Sequence, residues 1–124
     1  MKGISDIFII LSSICMSSTA HVFFKRGTMI LKHIPLVNNN LLSKVFTITT
    51  NPWVISGMTM HVCALAIWLW ALSRVEITFA YPFLAIGFVL VSLMAYFWLG
   101  EQMPFLRIVG MLIIVIGIFF ISKS

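Results

Sequence analysis

The stretch from Ile77 to Leu99 is an unbroken apolar run that contains no charged side chain. A helix of roughly 20 such residues crosses a hydrocarbon core about 30 Å thick, so this run predicts a membrane span. Three further apolar runs give four predicted spans, at about residues 4–26, 52–73, 77–99 and 104–122. With 61% hydrophobic and 9% charged residues, a chain of 124 residues cannot hide its apolar surface in a soluble fold. The sequence therefore predicts an all-α class, an integral membrane four-helix bundle built as one domain over residues 1–124.

The second half of the first span is unusually polar for a membrane helix. Ser17, His21 and Lys25 follow one another at intervals of four residues, which places them along one helix face. The small residues 18–20 beside them suit close contact with another helix. We therefore expect this face to look into a protein interior or a cavity and away from the lipid.

The third span carries a tyrosine and a proline, Tyr81 and Pro82, close to its start. Proline inside a helix removes one backbone hydrogen bond, so we expect a bend at this point. Such breaks are tolerated in membranes where a neighbouring helix or a cavity satisfies the freed carbonyl. This is the first place in the sequence to look for a substrate, and Tyr81 is a candidate lining residue.

The connection over residues 27–51 is too apolar for a flexible linker and too interrupted to span a membrane. Residues 29–37 and 41–48 could each lie in the headgroup region as short amphipathic segments, with Lys32 and Lys44 reaching outward. We therefore interpret residues 27–51 as an interfacial connection within the bundle.

The tight loop at 73–76 predicts that the second and third spans are antiparallel neighbours. In the fourth span Gly110 and Gly117 lie seven residues apart and form a smooth stripe that suits a second subunit. Four spans put both termini on one side of the membrane. Five cations against three between the two sides leave the orientation open.

The formal charge of +5 would suggest nucleic acid in a soluble protein, but here the cations flank apolar spans. Membrane lipids or an anionic substrate explain them better, and no nucleic acid partner is expected. Cys15 and Cys63 both fall inside apolar spans, where we interpret them as small buried apolar residues. No histidines and cysteines stand in metal-ligand register, so the sequence predicts neither a metal site nor a cofactor.

The three acidic residues are Asp6, Glu76 and Glu101, which are far apart in the sequence and near helix ends. Transferases that act on polyprenyl phosphates generally need acidic residues to hold a divalent cation on the phosphate. Since no paired acidic motif exists, the sequence predicts no catalytic residue and no enzyme activity.

The segment from Tyr81-Pro82 through Gly100-Glu101 to Gly117 resembles the C-terminal part of a four-helix unit in the drug/metabolite transporter superfamily, EamA type. The likeness covers all four spans and is thin over residues 28–51. It is closest to the small subunits of the aminoarabinose-phosphoundecaprenol flippase. This resemblance implies flipping of a sugar carried on undecaprenyl phosphate, across a bacterial inner membrane, by a dimer of four-helix subunits.

The first span adds to this resemblance, because AHVFFKRG matches a stretch in which small members carry a glutamine and, four residues later, a lysine. His21 stands at the glutamine position and Lys25 at the lysine position. The small multidrug resistance family is a more distant relative. Its members need a glutamate midway along the first helix, where this chain has Ser17, and no acidic residue is expected within a span. This departure argues against exchange of drugs for protons.

Lys25 carries the sharpest functional hypothesis, that it attracts the phosphate of the lipid-linked sugar, with Arg26 as a weaker candidate. The alternative is that both side chains only reach up to lipid headgroups at a helix end. His21 could bond the substrate or a neighbouring helix, whereas His61 is expected to be an ordinary bundle-facing histidine. Glu101 could bind a substrate amine or favour the start of the fourth helix.

These arguments predict a membrane transporter that works by alternating access in a homodimer or a paralogous heterodimer. The alternatives are an exporter of small metabolites or drugs and a non-transporting accessory subunit of a larger membrane complex. The predicted substrate-binding residues, in decreasing order of weight, are Lys25, His21, Tyr81, Ser17, Arg26 and Glu101.

Overall fold

The computed structural model describes residues 3–33 and 40–124, which form five α-helices and one short 3₁₀ turn at Ile30–Lys32. The helices are α1 (Ile4–Met29), α2 (Leu41–Thr49), α3 (Pro52–Leu72), α4 (Ile77–Leu99) and α5 (Phe105–Lys123). All except α2 are long and apolar enough to cross a membrane. The prediction of an all-α protein with four spans is confirmed, and the protein is a multi-pass membrane protein.

Local sequence accounts for where the helices begin and end. At the start of α3, the Asn51 side chain accepts a hydrogen bond from the backbone N–H of Trp53 at 2.9 Å, and Pro52 occupies the first helical position. Gly100 ends α4 in the left-handed region, with φ of 69°, a conformation that favours glycine. Three predicted spans match within one residue. The first was predicted too short, because α1 continues through Gly27 to Met29.

Helix α1 is the centre of the bundle, because it packs against both α3 and α4, while α5 packs on the outer side of α4. The buried apolar core draws on all four spans and contains Ile10, Ile14, Ala71, Phe79, Ala80, Phe83 and Ile118. The prediction that α3 and α4 are neighbours is wrong over most of their length. The short turn holds them together only locally, where the Trp68 and Tyr81 rings lie 5.9 Å apart, and α1 separates them beyond it.

Two serines tie α1 to its neighbours. Ser13 donates a hydrogen bond to the carbonyl of Ala64 in α3 at 2.8 Å, and Ser18 donates one to the carbonyl of Gly87 in α4 at 3.4 Å. Both serines are buried. Hydroxyl groups that bond across helices in this way add to packing between membrane helices.

Two glycines let α1 and α3 approach closely. A Cβ atom on Gly27 would lie 2.5 Å from the Val54 side chain, and one on Gly57 would lie 2.9 Å from the Phe24 ring and 3.0 Å from the carbonyl oxygen of Ala20. Glycine is therefore required by space at these two contacts. Neither glycine stands out in the sequence, and the two glycines of α5 that do stand out face open space in the single subunit.

An ion pair closes the end of the bundle opposite to Lys25. Asp6 lies in the first turn of α1 and is buried, so the expectation that no acidic residue falls within a span is wrong. Its Oδ2 accepts the N–H of Gly3 at 3.1 Å, and its Oδ1 lies 2.9 Å from Nε of Arg74 without the alignment of a hydrogen bond. The buried carboxylate therefore has both a backbone donor and a counter-charge, as buried charges require.

The outer surface is apolar, as expected where helices face lipid. Cys15 and Cys63 are free and exposed, so the prediction that both are buried is wrong. A thiol is weakly polar and faces lipid tails at little cost. In the connection, α2 covers the second of the two predicted amphipathic segments, with Leu42 and Phe46 exposed. Residues 34–37 of the first segment lie outside the described residues.

Candidate functional site

The polar face of α1 forms the floor of a groove between α3 and α4. Two adjoining cavities of about 140 and 230 Å³ lie along it and share Ile14, Ser17 and Leu84 as lining residues. The first cavity is also lined by His61 of α3. The second is lined by His21 of α1 and by residues of α4. The groove exists because α1 holds α3 and α4 apart. Its floor is therefore α1, and the polar side chains of α1 line it.

A hydrogen bond and a ring contact join the polar groups on this floor. The Ser17 hydroxyl lies 3.2 Å from Nδ1 of His61, and the His21 and His61 rings meet edge to face with centroids 5.3 Å apart. The predicted residues Ser17 and His21 are thus brought together. His61 was expected to be an ordinary bundle-facing histidine, and no signal in the sequence connects it to α1, 44 residues away.

The polar stripe ends in an ion pair between Lys25 and Glu101. Nζ of Lys25 lies 3.7 Å from Oε1 of Glu101, and their side chains are 55% and 42% exposed. The left-handed Gly100 brings this carboxylate back toward α1, and the N–H of Glu101 bonds the carbonyl of Ala95 at 3.2 Å. Glu101 therefore faces Lys25, and the N-cap position of α5 is occupied by Pro104, without a side-chain capping hydrogen bond.

Taken along α1, the polar residues Ser13, Ser17, His21 and Lys25 recur at every fourth position. Twelve residues of helix correspond to about 18 Å, more than half of the hydrocarbon thickness. Hydroxyl and imidazole groups that lead to an exposed ion pair offer hydrogen-bond partners to a polar group that enters the groove.

Tyr81 lies at the margin of this site. Its side chain is half exposed, and its ring packs edge-on against Trp68, which lines the smaller cavity. The chain remains helical through Pro82, whose ring takes away the donor for the carbonyl of Thr78. Tyr81 therefore reaches the groove through Trp68 and is not among the residues that line either cavity.

Arg26 points away from the groove. Its guanidinium lies over the Trp53 ring, 4.4 Å from the centroid, and it lines a different cavity of about 300 Å³ between the ends of α1 and α4. Of the six predicted residues, the structure brings together Ser17 with His21 and Lys25 with Glu101, places Tyr81 at the margin and separates Arg26.

Comparison with known proteins finds relatives by sequence but no matching family model or solved structure. The chain is 38% identical over 74 residues, 60% of its length, to the probable 4-amino-4-deoxy-L-arabinose-phosphoundecaprenol flippase subunit ArnE of Pseudomonas paraeruginosa. It spans 64% of that relative, which is slightly less than two thirds.

Two further relatives carry the same kind of name. The ArnE subunit of an Enterobacter species is 32% identical over 72 residues, 58% of this chain and 67% of the relative. The ArnF subunit of Shewanella sediminis is 32% identical over 68 residues, 53% of this chain and 47% of the relative. These relatives are named as transporter subunits and not as enzymes, and they confirm the resemblance found in the sequence. The chain therefore belongs to the family of aminoarabinose-phosphoundecaprenol flippase subunits.

Proposed function

We propose that this protein is a subunit of a transporter that flips a sugar linked to undecaprenyl phosphate across a bacterial inner membrane. The observation that carries the proposal is the groove between α3 and α4, whose floor is the polar face of α1. The polar head would cross along this floor while the prenyl tail stays in lipid. A path of hydroxyl and imidazole groups reduces the cost of moving a polar head through hydrocarbon.

The ion pair at the end of the groove gives the proposal chemical detail. The relatives are named for an amino sugar joined to a phosphate, so such a head carries both a cation and an anion. Lys25 could take the phosphate, and Glu101, 3.7 Å away, could take the amine. Because both side chains are about half exposed, exchanging their mutual contact for contacts with substrate would cost little.

We further propose that the working transporter contains two four-helix subunits, identical or paralogous, and that it works by alternating access. The relatives bear two subunit names, ArnE and ArnF, which favours the paralogous pair. A groove with one open side needs a second wall to enclose a bulky head. The glycines of α5 that face open space, Gly110 and Gly117, offer a surface for that subunit.

The test is transport in proteoliposomes that contain the protein together with its paralogue. An undecaprenyl-phosphate-linked 4-amino sugar would be placed in the inner leaflet, and an impermeant amine-reactive reagent added outside would label only the lipid that has crossed. We expect labelling to grow with time for the wild type and to stay at the protein-free rate for Lys25→Ala. Labelling at the protein-free rate for the wild-type pair would reject the flippase proposal.

A further inference from the structure

Arg26 differs from Lys25 and Arg74, each of which contacts an acidic side chain. The chain has three acidic residues, all of them described. Asp6 lies against Arg74, and Glu101 lies against Lys25. The third, Glu76, directly precedes α4, at the end of the bundle opposite to Arg26. Within the described residues no carboxylate is therefore placed to neutralise Arg26.

The position of Arg26 is fixed by an aromatic ring. Its guanidinium lies 4.4 Å from the centroid of Trp53, within the range of a cation–π contact. Such a contact holds the planar group while leaving its N–H donors free at the edge. Five N–H donors in a fixed fork match the oxygens of a phosphate.

The cavity that Arg26 lines has two kinds of wall. The described residues around its volume of about 300 Å³ are Arg26, Met29, Ile30, His33, Trp98 and Leu99. Basic and indole groups stand next to aliphatic side chains, so the cavity could hold a charged group and the start of an acyl chain together. It lies where α1 ends and α4 ends, at the level where membrane tryptophans are usually found.

We propose that this cavity binds the phosphate of an anionic glycerophospholipid from the surrounding bilayer, at a site separate from the groove. The unneutralised guanidinium takes the phosphate, His33 and Trp98 can donate further hydrogen bonds, and the aliphatic residues contact the first acyl carbons. The lipid would bridge the ends of α1 and α4. The proposal is independent of transport, because Lys25 and the groove take no part in it.

The experiment uses the purified full-length protein in a neutral detergent, titrated with phosphatidylglycerol, with bound lipid counted by native mass spectrometry. We expect one retained phosphatidylglycerol per chain and about tenfold weaker retention in Arg26→Gln, since a hydrogen bond to a charged group is lost. Arg107→Gln is the matched control. It removes the same charge on the same side of the bundle, where the Arg107 guanidinium donates to the carbonyl of Gln102 at 3.2 Å.

Three results would overturn the proposal. Equal losses in Arg26→Gln and Arg107→Gln would mean a general effect of charge. Equal retention of phosphatidylcholine would mean that the site does not select an anionic lipid. Displacement of the lipid by millimolar inorganic phosphate would mean a site for free anions.

A second measurement does not depend on the folding of an Arg26 variant. Phosphatidylglycerol brominated near its headgroup should quench part of the tryptophan fluorescence of the wild type, because Trp98 lines the cavity. That part should fall in Trp98→Phe to what Trp53, which packs on Arg26, contributes, and it should be unchanged in Trp70→Phe, whose tryptophan lies at the far end of α3. Equal quenching in both variants would contradict the site.

Discussion

The Ser17 hydroxyl and Nδ1 of His61 lie 3.2 Å apart and join the floor of the groove to its α3 wall. Both groups line the smaller cavity, so their contact lies inside the site. A polar head that enters the groove would meet this pair and could exchange one partner for another. The pair is therefore a structural tie between α1 and α3 and a candidate contact for substrate.

Replacing Ser17 by alanine should slow transport about fivefold to tenfold, because the head loses one hydrogen bond along its path. The matched control is Ser12→Ala, since the Ser12 hydroxyl is exposed and donates only to the carbonyl of Ile9 in its own helix. The rate of labelling in proteoliposomes measures both. Equal rates for Ser17→Ala and Ser12→Ala would remove Ser17 from the proposed path.

Removing the charge of Lys25 should abolish flipping and leave membrane insertion and dimerisation intact. The ion pair with Glu101 is about half exposed and contributes at most about 1 kcal/mol to stability, so loss of activity would not reflect loss of fold. Glu101→Gln should slow an amino-sugar lipid more than its N-acetylated form, because only the amine needs a carboxylate. Since the N-acetylated lipid does not react with an amine reagent, an impermeant oxidant of the sugar hydroxyl groups would follow the crossing of both lipids. Full activity in Lys25→Ala would dismiss the lysine from the mechanism.

Gly57→Ala should lower the free energy of unfolding by about 1–3 kcal/mol, because the added methyl group meets the Phe24 ring and a backbone carbonyl. Gly117→Ala is the control in α5, where nothing lies within 4 Å of the added Cβ. It should leave the single subunit unchanged or up to about 1 kcal/mol more stable, since alanine favours helix over glycine. Unfolding in mixed micelles gives both values, and equal destabilisation would contradict the close α1–α3 contact.

Gly117→Ala also reports on the proposed subunit interface. If α5 meets a second subunit along its glycines, the added methyl group should shift the equilibrium toward the single subunit without lowering the stability of that subunit. Sedimentation in density-matched detergent measures that shift. An unchanged association constant would direct the search for the interface to another helix.

Arg74→Gln should destabilise the bundle by about 1–3 kcal/mol, because it leaves the buried Asp6 carboxylate without its counter-charge. The double variant Asp6→Asn with Arg74→Gln should be less destabilised than the sum of the single variants, since neither charge remains unpaired. Arg107→Gln, an exposed cation on α5, should stay within about 0.5 kcal/mol of the wild type. Additive effects in the cycle would show that the pair does not couple.

The spans could be predicted because each is a contiguous property of the sequence. The expected 77–99 and 52–73 correspond to Ile77–Leu99 and Pro52–Leu72, since apolar length and a capping Asn51-Pro52 are local signals. The stripe through Ser17, His21 and Lys25 followed from helical periodicity alone. Periodicity assigns residues to a shared face and does not depend on which helix packs against it.

Which helices pack against each other could not be predicted from such local signals. The tight turn at 73–76 brings the ends of α3 and α4 together. It does not indicate that α1 lies between these two helices over the rest of their length. His61 and Glu101 reach α1 from elements 44 and 76 residues further along, and only the three-dimensional structure brings them there. Lys25 and Arg26 are adjacent in sequence but lie about 100° apart around the helix, so one meets Glu101 and the other Trp53.

The central position of α1 has a consequence for how the chain assembles during synthesis. This helix is made before α3 and α4, which carry the carbonyl groups that accept its serine hydroxyls. Until residue 74 is made, the Asp6 carboxylate lacks its counter-charge. The polar contacts of α1 are therefore complete only when α4 has been made, and a chain truncated before residue 74 should leave the Asp6 carboxylate without its counter-charge.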